Sequence, residues 1–185
     1  GLGREPAVAV AGLSRSLPLE GLATVDNFVP VGETQTVAPV VGSHVQGSAG
    51  YFAAFGLPLL RGRLLSSDDH SRPVAVISDR TARTLWPGQD PLGRSFRRGR
   101  ADIFQVVGVV ADAKIAGFER DPGLVGYVPY GLSTRGGLTL VIRGKAGDAA
   151  AIASARRVVK AIDPDLPLRR VRTLDSVVDD ALAMR

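Results

Sequence analysis

Apolar residues along this chain gather in short runs, separated by Gly, Pro and polar clusters, a rhythm of strands with occasional helices. Val8-Ala9-Val10-Ala11, closed by Gly12, predicts a first strand, and Ser14–Gly21, with Pro18 and Gly21, a loop. Ala23–Val29 and Val37–Val45 predict two more strands, with Pro30 and Gly32 between them. Ser48 is placed to cap a short helix, Ala49–Phe55, which Gly56 stops; Tyr51, Phe52 and Phe55 then share one face. Leu57-Pro58-Leu59-Leu60 and the polar stretch Arg61–Arg72 follow. Val74–Ile77 predicts a strand, and Ser78 caps a helix, Asp79–Trp86, that Pro87-Gly88 ends.

Gly93–Arg97 and Phe104–Val110 predict two strands joined by a basic turn at Arg98-Gly99-Arg100. The unbroken apolar run Val106–Val110 predicts a buried central strand. Val125–Tyr130 predicts another, with Pro129 suited to its end. Leu138–Arg143 predicts a strand. Asp148 then starts a helix to Ile162 with Ile152, Ala155, Val159 and Ile162 on one face. After Asp163-Pro164-Asp165, Leu168–Val171 predicts a strand. Thr173 caps a last helix in which Leu174, Val177, Val178, Ala181 and Leu182 form the apolar stripe. The end of the chain reads β-α-β-α and the middle mostly β, an α+β pattern of one domain or two packed lobes.

Composition sharpens this picture. With 45% hydrophobic but only 5% aromatic residues, the core is mostly aliphatic. Cysteine is absent, which excludes disulfides, a thiolate metal site and a thiol nucleophile. The net charge is +5, and such a basic surface suits phospholipid head groups or nucleic acid. No run of about 18 apolar residues occurs, so no membrane-spanning segment is predicted. The chain begins without Met or a signal-peptide pattern and reads as a piece of something longer.

Candidate chemistry is sparse. His44 falls in a predicted strand and His70 in a polar loop, with no Gly-x-Ser-x-Gly elbow to complete a Ser-His-Asp site. Asp68, Asp69 and His70 are adjacent, but three neighbours without a partner cluster read better as an acidic turn than as a metal site. Gly144-Lys145 lacks the glycine loop of a phosphate site. Among Arg94, Arg97, Arg98 and Arg100 sits Phe96, where a half-buried strand would place it, and only Phe104 follows, so the cluster reads as a solvated hairpin face more than as a nucleic-acid surface. Asp112 and Lys114 read as strand-end polar residues, and Trp86 as a core anchor. No catalytic, cofactor-binding or metal-binding residue is assigned, no cofactor is expected, and nucleic acid is not expected as a partner.

Several ordered segments carry a resemblance. They are Gly50-Tyr51-Phe52-Ala53-Ala54-Phe55-Gly56-Leu57-Pro58-Leu59-Leu60-Arg61-Gly62-Arg63, then Val74-Ala75-Val76-Ile77-Ser78, then Leu85-Trp86-Pro87-Gly88-Gln89-Asp90-Pro91-Leu92-Gly93-Arg94. Val106-Val107-Gly108-Val109-Val110-Ala111-Asp112, Tyr127-Val128-Pro129-Tyr130 and Ala161-Ile162-Asp163-Pro164-Asp165-Leu166-Pro167 complete the set. Their order over residues 45–182 resembles the periplasmic core domain of MacB-like, FtsX-type ABC transporter permeases. Ser48-Ala49 departs from the Ser-Pro usual there.

The resemblance implies a Porter-like lobe of β-α-β units, residues 1–69 with 136–185, and an inserted β-rich Sabre-like lobe, residues 70–135. It implies a periplasmic or otherwise extracytoplasmic domain of a bacterial inner-membrane protein, with membrane helices on both sides. The implied role is non-catalytic: passing conformational change from ATP-driven membrane helices to a periplasmic partner or substrate, in export or lipoprotein release. Implied partners are a cytoplasmic ATP-binding subunit, a second permease copy and a periplasmic protein or lipoprotein. The alternative is a periplasmic binding module that captures a peptide, lipid or lipoprotein; a basic nucleic-acid-binding domain stands a distant third.

Overall fold

The computed structural model describes residues 2–15, 24–32, 38–113, 123–132 and 137–183. Most of the expected loop Ser14–Gly21, the start of the expected strand at Val37, and Lys114 lie outside these residues, as do the side chains of Val178, Ala181 and Leu182. The described strands are β1 (Val8–Ser14), β2 (Thr24–Val31), β3 (Val40–Gly47), β4 (Leu59–Gly62), β5 (Val74–Ser78), β6 (Ser95–Arg98), β7 (Asp102–Val110), β8 (Leu124–Pro129) and β9 (Thr139–Gly144). The helices are α1 (Ala49–Phe55), α2 (Asp79–Leu85), α3 (Asp148–Ile162) and α4 (Leu174–Ala183), giving an α+β fold.

The strands share one sheet in the order β2-β6-β7-β5-β8-β3-β1-β9, and β2 also pairs with β3. That extra ladder closes six strands into a ring. Phe28 of β2 faces Arg98 of β6 on one side and Val40 of β3 on the other. The β7–β5 and β8–β3 ladders are parallel, and the other four in the ring antiparallel. β1 continues from the end of β3 through the pair Ser14–Gly47 and carries β9 on its other side; β4 pairs with the end of β7. Residues 70–135 supply β5 to β8, and the β2–β6 and β3–β8 ladders join them to strands from the first third of the chain.

Side chains alternate across the closed ring. Phe28, Ala75, Ile77, Phe96, Phe104, Val106, Val109 and Val128 fill its interior, and α2 lays Ala82, Leu85 and Trp86 over the end where β5 finishes. Glycine makes this interior possible. A Cβ on Gly42 would stand 2.5 Å from Phe28 Cε2, so only glycine at that position lets the ring of Phe28 lie across β3. The opposite face of β3, β5, β7 and β8 presents Val45, Val74, Val76, Val110, Val125 and Tyr127, covered by Tyr51 and Phe52 of α1. Burial raises the phenol pKa values of both Tyr51 and Tyr127, so both stay neutral. α1 approaches β1 closely because Gly50 meets Ala11 there: a Cβ on Gly50 would lie 2.0 Å from the Ala11 carbonyl oxygen.

Several local expectations hold. Gly56 ends α1 in the left-handed region, the Ser78 hydroxyl accepts from Thr81 N, and Trp86 is fully buried. Others are corrected. Ser48 sits at the start of α1, but its hydroxyl accepts from Leu13 N at 2.9 Å, fastening β1 instead of capping the helix. α3 buries Ala151, Ser154 and Ala155, with Ile162 75% exposed, because Gly144 of β9 lies against Ala151 and favours small residues at the contact. Leu168–Val171 forms no ladder; it is exposed, and Arg170 takes φ 51.

Candidate functional site at the charged end of the ring

The end of the ring away from α2 is built by the same two-residue alternation as the core. Asp26 stands two residues before Phe28, His44 two after Gly42, Arg98 two after Phe96, and Asp102 two before Phe104. Cross-strand register brings them together: Asp26 faces Gly42, and Arg98 faces both Phe28 and Asp102. His44 Nδ1 lies 3.1 Å from Asp26 Oδ2, and Arg98 Nε 3.8 Å from the same oxygen. Arg98 Nη2 donates to Asp102, and its guanidinium stacks 4.9 Å from the Phe104 ring centroid.

One carboxylate is therefore shared by an imidazole and a guanidinium, across three strands. The sharing is tight and incomplete. His44 Nδ1, Gln46 Oε1 and Arg98 Nη1 are buried without an aligned hydrogen bond, a state that is costly away from water. Burial, and then the Arg98 charge, hold the His44 pKa below its ordinary 6.5, against the pull of Asp26 and Asp102. His44 is thus neutral at neutral pH.

The other sequence candidates lie elsewhere. Asp69 is buried and forms a two-point pair with Arg63, Nη1 to Oδ2 at 2.5 Å and Nη2 to Oδ1 at 3.0 Å, while accepting from Ser66 N and Oγ. The Arg63 guanidinium holds the Asp69 carboxyl at about 2. His70 packs edge-on against Tyr130, and Asp68 is exposed. Among the described residues no group of three or more His, Asp and Glu is placed to hold a metal ion.

The basic hairpin divides. Arg98 turns inward, Arg97 and Arg100 are exposed, and Arg94 Nε donates to the Asp90 carbonyl. Asp112 accepts from Arg80 N at the start of α2 and lies 3.6 Å from Arg83, an anion at a helix N-terminus. Lys145 closes β9, donating its backbone N–H to Ala7 O. The sequence reading missed Asp26 as a partner of His44, since only ring closure brings β2, β3 and β6 together.

A sequence profile of the MacB-like periplasmic core domain matches residues 4–162. The chain belongs to this family. A curated relative, the macrolide export ATP-binding/permease protein MacB of Aggregatibacter actinomycetemcomitans, is 37% identical over 84 residues, or 43% of this chain and 12% of that protein. The match thus spans about an eighth of the relative's length. The periplasmic region of MacB from Actinobacillus actinomycetemcomitans has a similar fold, with TM-score 0.61 and 21% identity over 87% of this chain and 70% of that one. The extracellular domain of the ABC-type transporter YknZ from Gram-positive bacteria is similar too, with TM-score 0.60 and 16% identity over 88% and 80% of the two chains. As a MacB-like periplasmic core domain, the chain is an extracytoplasmic part of an ABC transporter permease of the inner membrane. No helix among the described residues is long and apolar enough to cross a membrane.

Proposed function

We propose that this MacB-like domain is a non-catalytic relay, carrying conformational change from ATP-driven membrane helices to a periplasmic partner or substrate. The observation that supports this most is the closed ring itself. Six mutually paired strands around an aromatic and aliphatic core form a stiff body, and β1, β9 and α3 extend from it. Within this reading, residues 70–135 and the two flanking segments are the Sabre-like and Porter-like lobes, and the β2–β6 and β3–β8 ladders make them move as one. The driving partner is a cytoplasmic ATP-binding subunit, acting through membrane helices that flank this chain; a second permease copy and a periplasmic protein or lipoprotein are the other partners.

The alternative, direct capture of a peptide, lipid or lipoprotein, is favoured by one observation. The outer face of β2, β3 and β7 carries exposed Val25, Val41 and Ile103, which a partner would cover. The parent permease, reconstituted with its ATP-binding subunit, separates the readings. Phe28→Ala, which empties the ring, should uncouple ATP hydrolysis from transport while substrate binding persists. ATP hydrolysis by the purified chain alone, or transport that survives loss of the domain, contradicts the relay.

A further inference from the structure

β2 is held to the ring unevenly. Its ladder to β3 runs from Thr24 to Phe28 and its ladder to β6 from Phe28 to Val31, so the two overlap only at Phe28. Beyond that overlap, on the β6 side, residues 24–27 keep one further backbone bond, Gly99 N to Asn27 O. The side chain of Asp26 reaches across this thin part of the seam, to His44 of β3 on one side and Arg98 of β6 on the other.

The groups facing His44 are few. From β2 comes Asp26; β6 brings Arg98, β7 brings Asp102, and the β8 residue in register with His44 is Gly126. A proton on His44 therefore places a second cation in a buried end that already holds Arg98. Asp102 answers Arg98 from the exposed rim, so Asp26 alone lies between the two cations. Burying a second charge on one shared carboxylate carries a desolvation cost that the shared pairing must offset. Residues 24–27 have a full ladder on the β3 side alone, so they are the part of this seam that such a charge can loosen.

We propose that His44, Asp26 and Arg98 form a proton-operated latch on β2, closed while His44 is neutral and released when His44 takes up a proton. An extracytoplasmic domain meets the pH of its surroundings, and histidine is the side chain that changes charge in that range. The released element is the first half of β2, with the start of β3 beside it; β5 and β8, paired away from the seam, stay closed. This inference stands apart from the relay reading, since the latch concerns the ring's own seam.

Hydrogen–deuterium exchange on the 185-residue chain tests it, at about pH 7.5 and at a pH below the midpoint of the His44 titration, with intrinsic rates corrected. Protection of amides in 24–28 and 40–44 should fall severalfold at the lower pH, while β5 and β8 amides keep theirs. His44→Gln, which cannot take the charge, should keep the seam protected at both values, and Asp26→Asn should leave it open at both. An NMR titration of the His44 ring in the wild-type chain supplies a readout independent of any variant. Its midpoint should coincide with the loss of seam protection. A seam indifferent to pH, a pH response unchanged by His44→Gln, or opening at a pH unrelated to the His44 titration would each overturn the latch.

Discussion

Gly42 and Phe28 offer a direct test of the filled, closed ring. A methyl group at Gly42 would stand 2.5 Å from Cε2 and 2.8 Å from Cδ2 of Phe28, and 3.1 Å from the Leu124 carbonyl oxygen. The Phe28 ring has little room to yield, because it is fully buried with its centroid 5.1 Å from that of Phe96. Gly42→Ala is therefore an overpacking substitution, expected to cost ~1–3 kcal/mol. Phe28→Leu alone is a partial truncation and should cost less than the ~3–5 kcal/mol of a full Phe→Ala change. Together they relieve each other, since leucine vacates the space the new methyl needs. The double variant should then be more stable than the sum of the singles predicts, by ~0.5–3 kcal/mol. Urea unfolding followed by the fluorescence of the single, buried Trp86 measures all three. Additivity within ~0.5 kcal/mol would refute the contact, and with it the placement of Phe28 across β3 inside the ring.

Three further outcomes follow from named contacts. Asp69, ordinarily near 3.8, is held at about 2 chiefly by its bond to Arg63. Its stabilisation is fully present above the unfolded value and is lost as pH falls towards about 2. At roughly 1.4 kcal/mol per unit, Asp69→Asn should cost about 2 kcal/mol at neutral pH and flatten the acid limb of a stability–pH curve; an acid limb unchanged in the variant contradicts this. Thr81→Val strips the hydroxyl that bonds both Val125 N, at 2.8 Å, and Val125 O, at 3.1 Å, and should lower unfolding free energy by ~1–3 kcal/mol; a neutral result denies that this bond joins α2 to β8. Gly50→Ala drives a Cβ into backbone at Ala11, so the melting temperature should drop by several degrees and α1 amides lose exchange protection; a variant as stable as the parent would rule out the close approach.

Much of the fold is legible in the sequence, because its signals are local. Runs such as Val74–Ile77 and Val106–Val110 mark strands by their apolar continuity, and Gly56 and Ser78 mark helix ends by backbone freedom and side-chain capping. The ordered aromatic, Pro and Gly segments likewise mark the family. What stays hidden depends on pairs distant in sequence. Nothing near Thr24–Val31 announces that β2 bonds both β3 and β6, so neither the ring nor the meeting of Asp26, His44 and Arg98 can be read along the chain. Ser48 has the residue type and position of a cap, yet Leu13, 35 positions away, claims its hydroxyl. Leu168–Val171 has strand composition and lies exposed without a partner strand, since composition does not supply one.

Pulsed dipolar distance measurement in the parent transporter addresses the relay most directly. This chain lacks cysteine, so in a cysteine-free parent the pair Val41→Cys and Lys160→Cys, both at exposed positions, takes two spin labels on the ring and on α3. A third position on the membrane-spanning part serves as the reference. With ATP hydrolysis trapped and released, the distance between the two labels on this domain should stay constant, while the distance from either label to the membrane part changes. Distances to the membrane part that are identical in every nucleotide state would contradict a domain that carries movement outward.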